Sequence, residues 1–193
     1  MANLIIDIGN TALKAAWCDG MTLGKTFRYQ GERMMDFILS LTSKEKPEIM
    51  VLSSIRTFSE QSIEILKGEC GKLVVMDENL LSSYDIPLHL TPDRAASIIA
   101  SRYLFRKKGC MIFDLGTTLT VDFLDADGGY EGGNISLGYR TRFKALNRYS
   151  RILPLVDSPD SIEGTGLDVK SSIEIGVVSG IIFEMEGYIC RHP

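Results

Sequence analysis

One short motif occurs twice in this chain, and the repetition constrains the fold more than any other feature. An apolar run leads into Asp7-Ile8-Gly9-Asn10-Thr11, and a second apolar run leads into Asp114-Leu115-Gly116-Thr117-Thr118. Each copy continues as a short apolar-rich segment that ends in Asp-Gly, at residues 19–20 and 127–128. The copies lie too far apart for a solenoid, whose repeats are shorter, and they predict two related half-structures.

The pentapeptide suggests a particular chemistry. A buried strand that runs into Asp-x-Gly-x-Thr and turns back as a hairpin presents a carboxylate at its end. The glycine lets backbone approach a ligand without a Cβ in the way, and the following amides and hydroxyls can point at an anion. Two such hairpins facing each other across a cleft could bind a nucleoside triphosphate, with the carboxylates holding its cation. The alternative is two tight hairpins with ordinary turn residues.

Length and composition set broad limits. A chain of 193 residues suits one large domain or two small ones, and the repeat favours two, at 1–108 and 109–193. The proportions of 45% hydrophobic and 24% charged residues are ordinary for a globular protein. A formal net charge of -4 gives no electrostatic reason to expect nucleic-acid binding.

The cysteines and the apolar runs bear on location. Four scattered cysteines without a Cys-x-x-Cys motif, and histidines only at 89 and 192, indicate neither a zinc site nor a disulfide framework. No apolar run approaches the ~18 residues of a membrane span. An acid at Asp7, with no basic residue before it, does not suit a signal peptide. We therefore expect a soluble, cytoplasmic protein without a membrane partner.

The hydrophobic pattern of the first half predicts an α/β layout with a mixed sheet. Strands are predicted at 3–8, 11–18, 23–29, 49–53 and 72–76, helices at 31–41 and 59–66, a loop at 80–92, and a helix from Pro92 or Asp93 to about Lys108. Adjacent Asp93 and Arg94 could offer a base and an anion-binding group to a hydroxyl acceptor that carries a carboxylate. Alternatively, Asp93 is only the acid that a helix N-terminus favours. Lys14 could reach a phosphate or be a surface lysine.

The second half begins at Gly109. A segment at 130–137 holds a glycine pair before a short strand, with Gly138 after it, which suits a backbone that lines a cleft or a plain turn. A strongly basic helix is predicted at 139–149, either as a solvated face or as a subunit contact. A loop at 155–169 and a final helix at 171–189 follow.

Four motifs in this order resemble the type III pantothenate kinases of bacteria, in the actin and sugar-kinase superfamily. They are Asp7 to Lys14, the pair Asp93-Arg94, Asp114 to Thr117, and Gly132 to Gly138. The resemblance implies an α/β fold of two ribonuclease H-like, actin-like ATPase domains with mixed sheets flanked by helices.

The resemblance also implies roles for individual residues. In that family, the first motif binds ATP phosphates, here Asp7, Ile8, Gly9, Asn10, Thr11 and Lys14, and Asp7 would also hold Mg²⁺. Asp93 would be the catalytic base, with Thr91, Pro92, Arg94 and Val169 on the pantothenate side. Asp114 would hold a monovalent cation, K⁺ or NH₄⁺, and Thr117 would bind ATP.

The chain departs from the family pattern at several positions. It reads Thr91-Pro92 where the family has glycine before the catalytic pair, Leu137 where it has proline, and Val169 where it has a threonine that contacts substrate. It also has no counterpart of a later family strand that ends in Thr-Gly-Gly, which predicts a truncated second domain.

The function that the resemblance implies is ATP-dependent phosphorylation of pantothenate to 4'-phosphopantothenate, the first step of coenzyme A biosynthesis, in a homodimer. One alternative is a catalytically weakened or inactive relative that acts as a binding or regulatory protein. Another is a phosphatase or sugar kinase of the same superfamily, whose activity would ignore pantothenate.

Overall fold

Five strands in the first half of the chain form one mixed sheet. The computed structural model describes residues 2–192. The strands are β1 (Asn3–Ile8), β2 (Leu13–Asp19), β3 (Thr22–Tyr29), β4 (Ile49–Ser54) and β5 (Lys72–Val75), in the order β3-β2-β1-β4-β5. β1 is antiparallel to β2 and parallel to β4, so it is the central strand. The predicted α/β class and mixed sheet are confirmed.

Two helices cover one face of this sheet. α1 (Met34–Thr42) and α2 (Glu60–Gly68) follow β3 and β4. Alternate β1 residues Leu4, Ile6 and Ile8 are buried together with Ile38 of α1 and Leu66 of α2. Side chains two apart on a strand point to one face, so this alternation places the other β1 side chains, including Asp7, on the opposite face.

The segment between β5 and the next long helix differs from the sequence prediction. A short helix, α3 (Glu78–Ser83), extends into the first four residues of what we predicted to be a loop from 80 to 92. Asp77 caps it, because its Oδ1 accepts the amide N–H of Leu80 at 2.9 Å. The loop prediction was therefore wrong for its first residues.

α4 (Pro92–Leu104) is shorter than predicted. Its buried residues are Arg94, Ala95, Ile98 and Ser101, which lie along one helix face. The helix does not reach Lys108, because Lys107 has a positive φ of 57° that no α-helix accommodates. The chain divides into two compact units between Tyr103 and Leu104.

The second unit contains an antiparallel sheet and two helices. The strands β6 (Cys110–Leu115), β7 (Thr118–Leu124) and β8 (Tyr130–Leu137) pair in that order. α5 (Tyr139–Tyr149) and α6 (Val169–Arg191) follow. Leu119 and Val121 of β7 pack with Ile181 of α6. The glycine pair at 132–133, predicted to precede a strand, lies inside β8.

α6 begins earlier than predicted because of a capping box. Asp168 accepts the amide N–H of Ser171 at 2.8 Å, and the Ser171 hydroxyl accepts the Asp168 amide N–H at 3.1 Å. Hydrogen bonding of the Asp168 carboxylate by the Ser171 backbone N–H, and next by the Ser171 side chain, holds the pKa of Asp168 below its ordinary value. In residues 2–192, no helix combines the length and apolar character needed to cross a membrane.

Arg142 ties the two helices of the second unit together. Its guanidinium bonds the Glu184 carboxylate on α6, and its Nε donates to the Leu137 carbonyl at 2.8 Å. Burial opposes ionisation of Glu184, but the Ser136 hydroxyl and Arg142 outweigh it and lower the pKa of the carboxyl. The sequence predicts that the basic helix, α5, is a solvated face or a subunit contact. Arg142 is an exception, because its side chain is only 20% exposed and is paired with Glu184 within the unit.

Candidate active site

Asp7 stands near the end of the central strand, held from both sides. Register places it opposite Lys14 on β2 and Ser53 on β4. The Ser53 hydroxyl donates to Asp7 Oδ1 at 3.2 Å, and Lys14 Nζ lies 3.7 Å from Oδ2. Each carboxylate oxygen therefore has its own partner, one a buried hydroxyl and the other an exposed ammonium.

The turn after Asp7 leaves room for a ligand at its backbone. The Gly9 N–H donates to the Ala12 carbonyl at 3.2 Å, and Asn10 and Thr11 are exposed. A Cβ on Gly9 would meet only the Ala12 oxygen, at 3.8 Å, which is an ordinary contact. The packing does not require glycine here, and the missing Cβ leaves the backbone open to close approach by a ligand. The Ile8 side chain is buried in the core, which leaves only its backbone for such a ligand.

The start of α4 separates two residues that sequence analysis treated together. Pro92 is the first helical residue, where its missing N–H costs nothing, and the Thr91 carbonyl accepts the Ala95 N–H at 3.0 Å. Asp93 is exposed in the first turn, and its Oδ1 accepts the Arg94 amide N–H at 2.9 Å. Arg94, in contrast, is only 7% exposed. The carboxylate faces solvent while its neighbour is buried.

The second copy of the motif ends β6 with a tighter turn. Asp114 is exposed and lies opposite Thr120 on β7. The Gly116 N–H donates to the Thr118 carbonyl at 2.9 Å. The Thr117 carbonyl accepts the Gly138 N–H at 3.1 Å and the Thr141 hydroxyl at 2.6 Å. The turn is thus fixed by the residues that begin α5.

Gly138 is required by this arrangement. A Cβ at that position would lie 2.2 Å from the Gly116 oxygen and 2.8 Å from the Thr117 carbonyl, distances at which the backbone must move. The sequence by itself predicts either a cleft-lining backbone or a plain turn at Gly138. Its physical reason is close approach to the second Asp-x-Gly-x-Thr turn.

Ser53 and Thr141 were missed by sequence analysis. Both donate a hydroxyl to a motif turn from elsewhere in the chain, 46 residues from Asp7 and 24 from Thr117. A signal for Ser53 existed, because β4 was predicted and a polar residue at its end would lie beside Asp7 if the two strands were parallel. No local signal marks Thr141.

A groove in the second unit brings together two departures from the family pattern. Its volume is 1050 Å³, and Leu137 and Val169 both line it, with Ile173 and Val177 of α6. Val169 is the first residue of α6 and is 54% exposed. Leu137 and Val169, for which the resemblance implies Pro and Thr in the family, therefore contribute to one apolar surface.

The acid side chains suit a metal that arrives with phosphate. Within residues 2–192, no three His, Cys, Asp or Glu side chains group so as to hold a metal ion by themselves. Mg²⁺ in phosphate-binding sites takes one or two carboxylates and completes its shell with phosphate oxygens and water. The single carboxylate of Asp7 near the end of β1 fits that donor set.

A solved structure shares this fold. The crystal structure of a protein described as a conserved Baf family transcriptional activator from Campylobacter jejuni matches 95% of this chain and 78% of its own, with a TM-score of 0.60 and 19% identity. At that identity the likeness concerns the fold alone.

Sequence relatives define the family. The family model for type III pantothenate kinase matches residues 3–191. Proteins named type III pantothenate kinase from Phocaeicola vulgatus, Azobacteroides pseudotrichonymphae and Cytophaga hutchinsonii are 35%, 34% and 34% identical to this chain. The matches cover 96–97% of this chain and 77–79% of those relatives. The chain belongs to the type III pantothenate kinase family.

Proposed function

We propose that this protein transfers the γ-phosphoryl group of ATP to pantothenate and forms 4'-phosphopantothenate, the first step of coenzyme A biosynthesis. The observation that carries the proposal is the family match over residues 3–191. The carboxylates at the motif turns, half-buried at Asp7 and exposed at Asp114, support it, because phosphoryl transfer asks a protein mainly for positioning and charge neutralisation.

The first turn is proposed to bind the nucleotide phosphates. Gly9, Asn10 and Thr11 would offer backbone amides and polar side chains to phosphate oxygens, and Asp7 would hold Mg²⁺ directly or through water. Bound Mg²⁺ supplies neutralisation of the phosphate charge. Lys14 is 66% exposed, so its ammonium can turn from Asp7 to a phosphate oxygen.

The second turn is proposed to hold a monovalent cation, K⁺ or NH₄⁺. The exposed Asp114 carboxylate at the end of β6 is an oxygen donor of the kind that such ions take. Thr117 would contact ATP, and its main chain is already fixed by Gly138 and Thr141.

Asp93 is proposed to act as the general base. It would accept the proton of the primary hydroxyl of pantothenate as that oxygen bonds the γ-phosphorus. The bond from the γ-phosphorus to the bridging oxygen breaks, and ADP leaves with that electron pair. We assign Thr91, Pro92, Arg94 and Val169 to the pantothenate side. Burial of Arg94 would strengthen a contact with the pantothenate carboxylate.

An ADP-release assay with ATP, Mg²⁺ and K⁺ tests the proposal. The wild type should release ADP only when pantothenate is present. Asp93→Asn should lower turnover at least ~100-fold with little loss of ATP binding, because a positioned base contributes 10²–10⁴-fold. Asp36→Asn is the matched control, as another exposed acid in the first turn of a helix, and should leave turnover unchanged.

Two results would contradict the assignment. Near-normal turnover of Asp93→Asn would remove Asp93 from the role of base. ADP release that ignores pantothenate would point to another phosphotransferase or to a phosphatase.

We also propose a homodimer that works in the cytoplasm. Tyr149, Ile152 and Leu167 of the second unit are 83%, 89% and 94% exposed, and they are large side chains of the kind that a subunit contact buries. All four cysteines are unpaired, which suits a reducing compartment. Sedimentation equilibrium should give twice the chain mass, and a monomer at micromolar concentration would contradict the dimer.

A further inference from the structure

We infer that Ser53 is a positioning residue that orients the Asp7 carboxylate for the magnesium-bound nucleotide. The inference rests on the function proposed above, because it assigns a task to Asp7 in that reaction. Its own ground is a single contact, the hydrogen bond from Ser53 Oγ to Asp7 Oδ1 at 3.2 Å.

The contact follows from the strand order. β4 runs parallel to β1, with Ser53 in register with Asp7. Neighbouring residues on adjacent strands share a face, so the two side chains meet on the face away from Ile6 and Ile8. Ser53 is 7% exposed, and a hydroxyl so buried needs a partner, which Asp7 provides.

The end of β4 is held firmly enough to define where the hydroxyl lies. The Ile55 N–H donates to the Ile8 carbonyl at 3.1 Å and extends the pairing of the two strands past Ser53. The Ser54 hydroxyl bonds only the main chain of Arg56 beyond the strand, accepting its N–H at 3.0 Å and donating to its carbonyl at 2.9 Å, and it takes no part in this pairing. Ser53 therefore acts from a strand, whose geometry is more precise than that of a loop.

The two oxygens of Asp7 are left unequal by this arrangement. Oδ1 accepts the hydroxyl of a buried residue on a strand, whereas Oδ2 faces the ammonium of Lys14, whose side chain is 66% exposed. Asp7 would hold the cation through the side of the carboxylate that Lys14 now faces, and Ser53 would keep the carboxylate plane in place. Groups that orient a ligating carboxylate typically contribute 10–100-fold to metal affinity.

A magnesium titration of nucleotide binding tests the inference without catalysis. The probe is a fluorescent, non-hydrolysable ATP analogue, bound without pantothenate while Mg²⁺ is varied. Ser53→Ala should raise the apparent dissociation constant for Mg²⁺ about 10-fold to 100-fold. Ser54→Ala is the matched control, since it removes a hydroxyl one residue further along that contacts Arg56 instead of Asp7, and its constant should equal that of the wild type.

A double-mutant cycle separates positioning from a general packing role. In an Asp7→Ala background, Ser53→Ala should cause no further loss, because the group through which it acts is gone. The same loss in both backgrounds, an unchanged constant in Ser53→Ala, or an equal loss in Ser54→Ala would each overturn the inference. Nucleotide binding by the wild type that does not respond to Mg²⁺ would overturn it too.

The two proposals fail in different experiments. Absence of pantothenate-dependent ADP release from the wild type contradicts the proposed function. The magnesium titration decides the role of Ser53 by binding alone.

Discussion

The two Asp-x-Gly-x-Thr turns resemble each other in sequence and differ in what supports them. The first lies on the central strand of a five-stranded mixed sheet, and a hydroxyl on the adjacent parallel strand holds its acid. The second ends β6, at the edge of the three described strands, and the start of α5 holds its backbone. A repeated motif can thus keep its turn while each copy acquires its own support.

The turns also differ in length, and the difference changes the neighbour of each acid. The first turn closes with a bond from Gly9 to Ala12, and the second with a bond from Gly116 to Thr118. Asp7 consequently lies opposite Lys14, whereas Asp114 lies opposite Thr120. We propose that the two acids also differ in their ions, the first serving the magnesium-bound nucleotide and the second a monovalent cation.

Paired substitution of the two acids has the largest expected effect. Asp7→Asn should lower kcat/KM about 100-fold to 1000-fold, as loss of one charge-stabilising group at a reacting phosphate does. Asp114→Asn should keep the magnesium dependence and lose the response of turnover to K⁺. Titrations of turnover against Mg²⁺ and against K⁺ check this. If turnover depends on the two ions in the same way in both variants, the two acids do not have different roles.

Substitution of Gly138, whose backbone packs against the second turn, should lower the free energy of unfolding. Gly138→Ala should lower the free energy of unfolding by about 3 kcal/mol, because its Cβ meets backbone that cannot rotate away. Gly187→Ala is the control, since it lies within α6 with nothing near its Cβ, and it should raise that free energy by up to ~1 kcal/mol. Urea denaturation measures both, and a neutral Gly138→Ala would contradict the close approach.

The motif glycines Gly9 and Gly116 should matter for ATP binding and not for stability, in contrast to Gly138. A Cβ on Gly9 or Gly116 would have a single neighbour at 3.8 Å, so Gly9→Ala and Gly116→Ala should fold normally. We expect each to weaken ATP binding about 10-fold, or ~1.4 kcal/mol, by keeping phosphate from the backbone. Calorimetric titration with ATP checks this. Unchanged affinity in both variants would mean that the turns do not bind phosphate.

Acid pH should weaken the ion pair between Glu184 and Arg142, which joins α6 to the helix that holds the second turn. The lowered pKa of Glu184 means that its contribution is complete above the ordinary value of 4.5 and is lost as the pH falls through the lowered value. Glu184→Gln should cost about 1 kcal/mol of unfolding free energy near pH 7 and flatten the loss of stability below pH 4.5. Denaturation curves from pH 3 to pH 7 test it, and parallel wild-type and variant curves would exclude this role.

Sequence reasoning succeeded where the determinants are local. An apolar run into Asp-x-Gly-x-Thr predicts a strand and a turn by itself, and both copies show them. Ser53 and Thr141 act across long separations, so their partners depended on strand order and helix placement. Arg142 was predicted to lie on a solvated face or at a subunit contact because its helix is basic, whereas its partner, Glu184, lies on α6.

Two errors in helix boundaries had local causes that could have been read. Asp77 is the N-cap of α3, and Asp168 is the N-cap of α6. Aspartate is among the residues that are favoured at an N-cap, so both helix starts had a signal in the sequence. The positive φ of Lys107, in contrast, has no signal in the residue type.

The product of the reaction tests the central claim most directly. Purified protein incubated with ATP, Mg²⁺, K⁺ and pantothenate should form 4'-phosphopantothenate and ADP in equal amounts, as measured by mass spectrometry and phosphorus NMR. Consumption of ATP without that product, or no consumption at all under these conditions, would contradict the assignment of this chain as a pantothenate kinase.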